Sequence, residues 1–214
     1  MFDNIDTLIF DMDGTLIDSM NIWHEIDREF FDNHNIPFPD DLAKQIDGLS
    51  FDETADYFLN NFPLDYTKEE IQKIWRDMSF EYYKSVIPFK SGALEFIVKM
   101  KKKGYKMGIA TSNSRDLVEA LDKRLHISDY ITVIVTNDEV PNGKPAPDIY
   151  LKVAEILKSD PATCLVFEDV PGGIKAGKNA GMKVCAVHDE FSTEMDEEKR
   201  ALADYYIMDY NEIN

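Results

Sequence analysis

Short apolar runs alternate with longer amphipathic stretches from about residue 90 onward. One more run stands near the N-terminus at 5–10, and the later ones lie at 107–111, 131–135, 164–167 and 184–187. Apolar positions recur at helical spacing in the stretches 91–103, 114–125, 147–157 and 172–180. Strands separated by helices of this length indicate βαβ units, and therefore a parallel sheet of at least five strands. Ser91 is expected to cap the first of these helices, and Gly104 and Gly181 to end two of them.

Residues 19–88 break this alternation, because they contain helical patterns without convincing strands. The patterns predict helices over 20–34, 40–45, 51–62 and 68–83. Two stripes of aromatic and aliphatic side chains run along the first and last of them, which is typical of helices packed on a common core. We therefore predict an α/β core formed by 1–18 and 89–214, with an α-helical cap, 19–88, inserted after the first strand and covering the edge of the sheet.

Residues able to do chemistry follow the predicted strands. Asp11 and Asp13 come directly after the first run, Ser112 and Asn113 follow the second, and Glu168 and Asp169 end a later one. A Pro-rich loop carries Lys144. Parallel sheets bind ligands beyond the carboxyl ends of their strands, so these side chains are expected to meet at one edge. Taken singly, an Asp-x-Asp turn can equally solvate a bend, and an acidic pair can be a solvated loop end.

The four motifs together resemble those of the haloacid dehalogenase-like (HAD) superfamily of phosphohydrolases, in order and in separation. The first is nearly complete over residues 11–19, and the resemblance extends from residue 5 to about 190. It implies a Rossmann-like core with a helical cap that closes over small phosphorylated substrates. It also implies phosphoryl transfer assisted by Mg²⁺. The second aspartate of the first motif favours phosphate over halide chemistry, because the family's dehalogenases lack it.

The resemblance implies a role for each acidic residue of these motifs. Asp11 would be the nucleophile that forms an aspartyl-phosphate, and Asp13 the general acid and base. Asp11, the backbone carbonyl of Asp13 and Asp169 would bind Mg²⁺, a cation that prefers a few carboxylates together with phosphate and water oxygens. Glu168 would bind the metal directly or through water.

The remaining motif residues would hold the phosphate. Lys144 would neutralise charge on the phosphoryl group and on Asp11, acting as a point charge. Ser112 would donate its hydroxyl to a phosphoryl oxygen, with the backbone N–H of Asn113 beside it. Thr111 is the competing hydroxyl. Gly172 and Gly173 would allow the backbone to approach closely at the start of a helix.

Residues of the predicted cap indicate which class of substrate the protein binds. The segment 48–51 resembles the substrate-contacting loop of β-phosphoglucomutase-like relatives, but Phe51 stands where those mutases carry an arginine. Trp23 stands where they carry a histidine, and His24 is one residue away. Trp23, His24 and Phe51 are therefore candidates to line a cap pocket, or simply to pack the cap. We expect a phosphatase acting on a small sugar or polyol phosphate. The alternatives are a phosphomutase and, in a different class, a non-catalytic protein that binds phosphorylated metabolites or a protein partner.

Composition narrows the choice of partners. The formal net charge of −18 over 214 residues disfavours nucleic acid and anionic membranes as partners. No signal-peptide pattern and no apolar run long enough to span a bilayer is visible, so we expect a cytoplasmic protein. Cys164 and Cys185 fall inside apolar runs and are interpreted as reduced core residues. We expect the chain to act as a monomer on a small phosphorylated metabolite.

Overall fold

The structure, a computed structural model, describes residues 1–46 and 51–213. The chain divides into two compact units, one formed by Met1–Met20 with Ile87–Asn214 and the other by Asn21–Val86. The strands β1 to β6 are Thr7–Phe10, Lys106–Thr111, Val133–Thr136, Cys164–Glu168, Lys183–Val187 and Tyr205–Ile207. The helices α1 to α9 are Met20–Asn33, Leu42–Ile46, Phe51–Asn61, Lys68–Ser85, Ala93–Lys102, Arg115–Leu125, Asp148–Leu157, Pro171–Asn179 and Asp196–Leu202.

The larger unit is built on one parallel sheet with the strand order β3-β2-β1-β4-β5-β6. Helices flank the sheet, so the predicted α/β, Rossmann-like class is confirmed. The sheet has one strand more than the five counted in the sequence. The additional strand, β6, is three residues long, too short to stand out as an apolar run.

One helix begins differently from the prediction. Ser91 does not cap the helix that follows it, because α5 starts at Ala93 and its N-cap residue is Gly92, with φ 74°. The Ser91 hydroxyl instead accepts a hydrogen bond from the side chain of Asn211, 2.9 Å away. Glycine adopts this left-handed conformation without the cost that a Cβ imposes, so it displaces the serine as the first residue of the turn. Gly104 and Gly181 do lie just beyond helices, at φ 84° and 77°.

Both faces of the sheet are buried, which explains why its strands appear as continuous apolar runs. On one face Phe10 stacks on Phe167 with ring centroids 5.0 Å apart, and Phe96 of α5 meets Phe167 edge-on at 5.5 Å. On the other face, α7 and α8 pack against the sheet. Cys164 and Cys185 are free thiols in this core. Rigid packing on both sides holds the strand ends in place.

The smaller unit is helical, and aromatic side chains form its core. Phe30 of α1, Phe58 of α3 and Trp75 of α4 meet edge-to-face, with centroid separations of 4.9 to 5.9 Å. Thr67 begins α4 with a reciprocal capping box that includes the Glu70 side chain. The segment 48–50 and the side chain of Phe51 lie outside the described residues. No helix in the described ranges has the length and apolar character needed to cross a membrane.

Candidate active site

The candidate site lies where β1 and β4 end side by side. Phe10 pairs with Phe167 in the parallel register, and the Asp11 N–H donates to the Phe167 carbonyl at 2.9 Å. Asp11 therefore emerges next to Glu168. The chain builds one half of the sheet as β1, β2 and β3 and then crosses to β4 on the far side of β1. A reversal of strand order of this kind opens a crevice at the carboxyl edge, which is where such sheets bind ligands.

Three buried carboxylates meet at this edge. Asp11, Glu168 and Asp169 are 7 %, 0 % and 2 % exposed, and one oxygen of each lies within 4.8 Å of the others. Carboxylates removed from water repel one another unless a cation balances them. An all-oxygen donor set of this size and charge matches the preference of hard divalent cations. The cluster could therefore hold a metal ion.

Lys144 supplies positive charge within this cluster. Its side chain is only 9 % exposed, and its ammonium lies 2.5 Å from Asp11 Oδ1 and 2.6 Å from Glu168 Oε1. It also donates to the Ala110 carbonyl at 3.1 Å. The lysine therefore bridges the ends of β1 and β4 from a loop that follows β3.

Tyr150 also contacts Glu168 and Lys144, and the sequence did not predict this role. Its buried hydroxyl donates to Glu168 Oε1 at 2.7 Å, and the Lys144 ammonium lies 5.1 Å from the centre of its ring. The only available signal was its place in the first turn of α7, directly after the Lys144 loop. An aromatic residue there is ordinarily interpreted as core.

Glu168 is held by protein donors on both oxygens. Oε1 accepts from Lys144 and Tyr150, and Oε2 accepts from the backbone N–H of Asp169 at 3.1 Å. A Cβ at Gly173 would overlap the Glu168 carboxylate, so the close approach allowed by this glycine serves the glutamate. At Gly172 such a Cβ would meet no described atom within 4 Å outside its chain neighbours and its own helix.

Asp169 is anchored by the first motif. Thr15 Oγ1, fully buried, donates to Asp169 Oδ1 at 2.9 Å. Gly14, at φ 70°, passes so near that a Cβ would lie 2.8 Å from Asp169 Cγ. Gly14 and Thr15 fall inside the first motif, 11–19, but nothing in the sequence indicates this contact. Their structural role is to bring the end of β4 against the turn after β1.

Asp13 occupies a different environment from Asp11. It is half-buried, and its two oxygens accept hydrogen bonds from Ser19 Oγ at 2.6 Å and from Asn113 Nδ2 at 2.5 Å. Two aspartates two residues apart are thus held in unlike surroundings, one buried among charges and one pinned by neutral donors. Such a difference is the usual physical basis for giving paired carboxylates separate roles.

The residues expected to bind phosphate fall into two groups. Thr111 is fully buried, and its hydroxyl accepts from the Asn113 N–H at 3.1 Å. The backbone N–H of Asn113 is therefore already engaged, while its side chain contacts Asp13. Ser112 is exposed, and its hydroxyl makes no hydrogen bond to any residue that the structure describes. Of the two competing hydroxyls, Ser112 is the one left available to a ligand.

The candidate substrate residues of the cap belong to the smaller unit. Trp23 is half-buried on α1. His24 is exposed, accepts from Arg28 Nε at 2.9 Å and packs edge-on to Phe38 at 5.5 Å. The side chain of Phe51 lies outside the described residues. The described contacts of His24 are therefore with other residues of the cap.

Burial and like charges raise the pKa values of two members of the cluster, Asp169 and Asp11. Burial, reinforced by Glu168, raises the pKa of Asp169 to about 8. Burial also raises the pKa of Asp11 well above its usual range, although the ammonium of Lys144 opposes the shift. Burial alone would lower the pKa of Lys144, but Asp11 and Glu168 raise it above its ordinary value. The lysine therefore stays charged, whereas Asp169, and to an extent limited by Lys144 also Asp11, binds a proton more tightly than an ordinary aspartate does.

Comparison with known proteins agrees with this geometry. The family model of haloacid dehalogenase-like hydrolases matches residues 8–187. The chain belongs to this family. The resemblance drawn from the four motifs is thereby confirmed, and the matched range includes all the carboxylates described above together with Lys144.

Relatives of the chain in this family are named as phosphatases. A phosphorylated carbohydrates phosphatase of Thermotoga maritima is 32 % identical over 180 residues, which cover 84 % of this chain and 83 % of the relative. Pyrophosphatase PpaX of Bacillus cereus is 31 % identical over 186 residues, 86 % of this chain and 83 % of the relative. A HAD hydrolase of Entamoeba histolytica has a similar solved structure, with a TM-score of 0.82, 25 % identity and coverage of 98 % and 96 %.

The raised pKa values predict that metal binding releases protons. Below pH 8 a divalent cation must displace the proton that Asp169 carries, so its affinity should rise with pH, by up to about tenfold per unit, and level off above 8. Isothermal titration of Mg²⁺ at pH 6.5 and 7.5, in buffers of different ionisation enthalpy, measures both the affinity and the protons released. The Asp169→Asn variant is the control and should release fewer protons. An affinity independent of pH would show that the cluster is already ionised.

Proposed function

We propose that the protein is a Mg²⁺-dependent phosphatase that hydrolyses a small phosphomonoester, a sugar or polyol phosphate, through an aspartyl-phosphate on Asp11. The observation that carries the proposal is the pairing of Asp11 with Lys144 at 2.5 Å, beside a second aspartate whose oxygens accept hydrogen bonds from Ser19 and Asn113. The phosphatase names of the relatives support the reaction class, and the carbohydrate phosphatase supports the class of substrate.

The first step is an in-line displacement at phosphorus. A carboxylate oxygen of Asp11 attacks the phosphorus atom, the ester P–O bond breaks, and Asp13 gives its proton to the leaving alkoxide oxygen. Lys144 balances the negative charge on Asp11 and on the transferring group. Ser112 donates its free hydroxyl to a phosphoryl oxygen, and the side chain of Asn113 keeps Asp13 in place.

The second step removes the phosphoryl group from Asp11. Asp13, now a carboxylate, takes a proton from a water molecule whose oxygen attacks phosphorus. The P–O bond to Asp11 breaks, inorganic phosphate leaves, and Asp13 is protonated again. Ser19 and Asn113 hold Asp13 at both oxygens, so the same group can serve both steps without losing its position.

Mg²⁺ fits the residues present. Asp11, Asp169 and the Asp13 carbonyl would hold it, with Glu168 acting directly or through water, and bound Mg²⁺ would neutralise charge on the phosphoryl oxygens. The fit rests on the donor set itself, which comprises three buried carboxylates of which only Asp11 and Glu168 are paired with Lys144. Asp169 has Thr15 as its side-chain donor and no cation within ion-pair distance among the described residues.

Replacement of Asp11 tests the covalent mechanism. Asp11→Asn keeps the shape of the side chain but removes the nucleophilic charge, so release of phosphate from a generic phosphomonoester should fall by more than a factor of about 100. Asp116→Asn, an exposed position in the first turn of α6, is the matched control and should leave the rate unchanged. EDTA should silence the wild type and Mg²⁺ should restore it. A folded Asp11→Asn variant that keeps a larger share of the activity rules out attack by this residue.

The alternative is a phosphomutase, which must hold a second phosphate in the cap. Segment 46–56 contains no lysine or arginine, and Phe51 stands where the mutases carry their cation. Elsewhere in the cap, the cations that could hold a second phosphate are Lys44, Lys73, Arg76 and Lys84; Lys73 pairs with Asp77 and Lys84 lies 3.3 Å from Glu81, both at the surface. The lack of a cation in segment 46–56 favours hydrolysis of a monophosphate.

Hydrolase and mutase differ in their products. Incubation with β-glucose 1-phosphate and a trace of glucose 1,6-bisphosphate should release free phosphate, without stimulation by the bisphosphate. Phe51→Ala should change the preference among sugar phosphates more than it changes the rate on a small generic ester, because it leaves the core chemistry intact. Accumulation of glucose 6-phosphate without free phosphate would instead identify the protein as a mutase.

A further inference from the structure

A fully buried lysine lies outside the site described above. Lys199 of α9 is 0 % exposed, and its ammonium lies 2.5 Å from Asp196 Oδ1 and 3.1 Å from Ser192 Oγ. Lysine is almost never fully buried, because removing its charge from water is costly unless other groups compensate for it. None of the steps proposed above uses this residue.

Ser192 connects the buried lysine to the end of β4. It is 4 % exposed, and its hydroxyl lies 3.0 Å from the backbone carbonyl of Asp169. An ammonium group can only donate hydrogen bonds, so Ser192 Oγ must accept from Lys199. The single hydroxyl proton is then directed to a carbonyl. The Asp169 carbonyl at 3.0 Å is a better acceptor than that of Asp189 at 3.4 Å.

The stability of the fold gives little reason for a lysine at this position. A buried ion pair can often be replaced by apolar side chains of similar volume without loss of stability. Asp196, the carboxylate partner of Lys199, is 24 % exposed and already accepts from Tyr206 at 2.8 Å. What an apolar side chain could not supply is the donor that orients the Ser192 hydroxyl.

We propose that Lys199 and Ser192 are positioning residues for the metal ligand Asp169. The Lys199 ammonium orients the Ser192 hydroxyl, and the hydroxyl donates to the backbone carbonyl of Asp169 and so holds its main chain in place. Thr15 fixes the side chain of the same residue from the opposite segment at 2.9 Å. The aspartate is thus held both at its main-chain carbonyl and at its side chain, which sets the direction of its carboxylate before a cation binds. This inference rests on the proposed function only through the assignment of Asp169 as a metal ligand.

Metal binding by the metal-free protein provides a test that does not need turnover. Isothermal titration with Mg²⁺ at pH 8 compares the wild type with Ser192→Ala, Lys199→Met and the double variant. Loss of a group that orients a ligand typically weakens metal binding 10- to 100-fold, so each single variant should bind Mg²⁺ about tenfold more weakly. Because the lysine acts through the hydroxyl, the double variant should bind no more weakly than Ser192→Ala.

Two controls separate positioning from general damage to this region. Lys175→Met removes an exposed lysine of α8, which pairs at 2.8 Å with Glu198 of α9, the helix that also carries Lys199. This variant should leave the Mg²⁺ affinity unchanged. Ser192→Thr retains a hydroxyl and should keep most of the affinity. Circular dichroism establishes which variants are folded. If Lys199→Met does not fold, the Mg²⁺ affinity of Ser192→Ala tests whether the hydroxyl positions Asp169.

Several outcomes would overturn the proposal. An unchanged Mg²⁺ affinity in folded Ser192→Ala would show that the hydroxyl does not position Asp169. Losses that multiply in the double variant would show that Lys199 acts independently of Ser192. A wild-type protein that binds no Mg²⁺ would remove the metal assignment itself, and this inference would fall with it. Phosphatase activity in EDTA would separately identify a failure of the proposed function.

Discussion

The concentration of negative charge at the ends of β1 and β4 is the constraint on which the rest of the site depends. Asp11, Glu168 and Asp169 meet there, almost out of reach of water, and Lys144 is the one cation within ion-pair distance of them in the described part of the chain. Buried like charges are tolerated only where hydrogen bonds and opposite charges compensate for them. Each surrounding feature can be understood as part of that compensation. Lys144 and Tyr150 hold Glu168, Thr15 holds Asp169, and a bound cation would complete the balance.

The fold produces this crowding because parallel strands place their carboxyl ends at one edge. The two strands that carry the acidic residues are neighbours at the point where the strand order reverses. The packed core beneath, with Phe10 stacked on Phe167 in the positions just before the acidic residues, prevents the two strand ends from moving apart. The repulsion within the site is therefore balanced by the stability of a sheet buried on both faces.

Prediction from the sequence succeeded where a local pattern carries the information. The strand ends were visible because the parallel strands are apolar throughout, and the acidic residues that follow them stand out by contrast. The groups that support the site were not visible in this way. Tyr150, Thr15 and Lys199 look like ordinary core or surface positions, and their partners are brought to them only by the tertiary fold. Ser91 failed as a cap because the left-handed Gly92 placed the start of α5 beyond it, and β6 was too short to show a period.

The covalent role that we propose for Asp11 can be tested by trapping the aspartyl-phosphate itself. Acetyl phosphate has a leaving group that needs no general acid, so an Asp13→Asn variant should form the aspartyl-phosphate but should not hydrolyse it. Acid quenching, proteolysis and mass spectrometry would then locate the phosphoryl group. The mechanism predicts close to one phosphoryl group per chain, carried by the peptide that contains Asp11. Phosphate release from this variant with Asp11 unmodified, or a phosphoryl group on another residue, would contradict it.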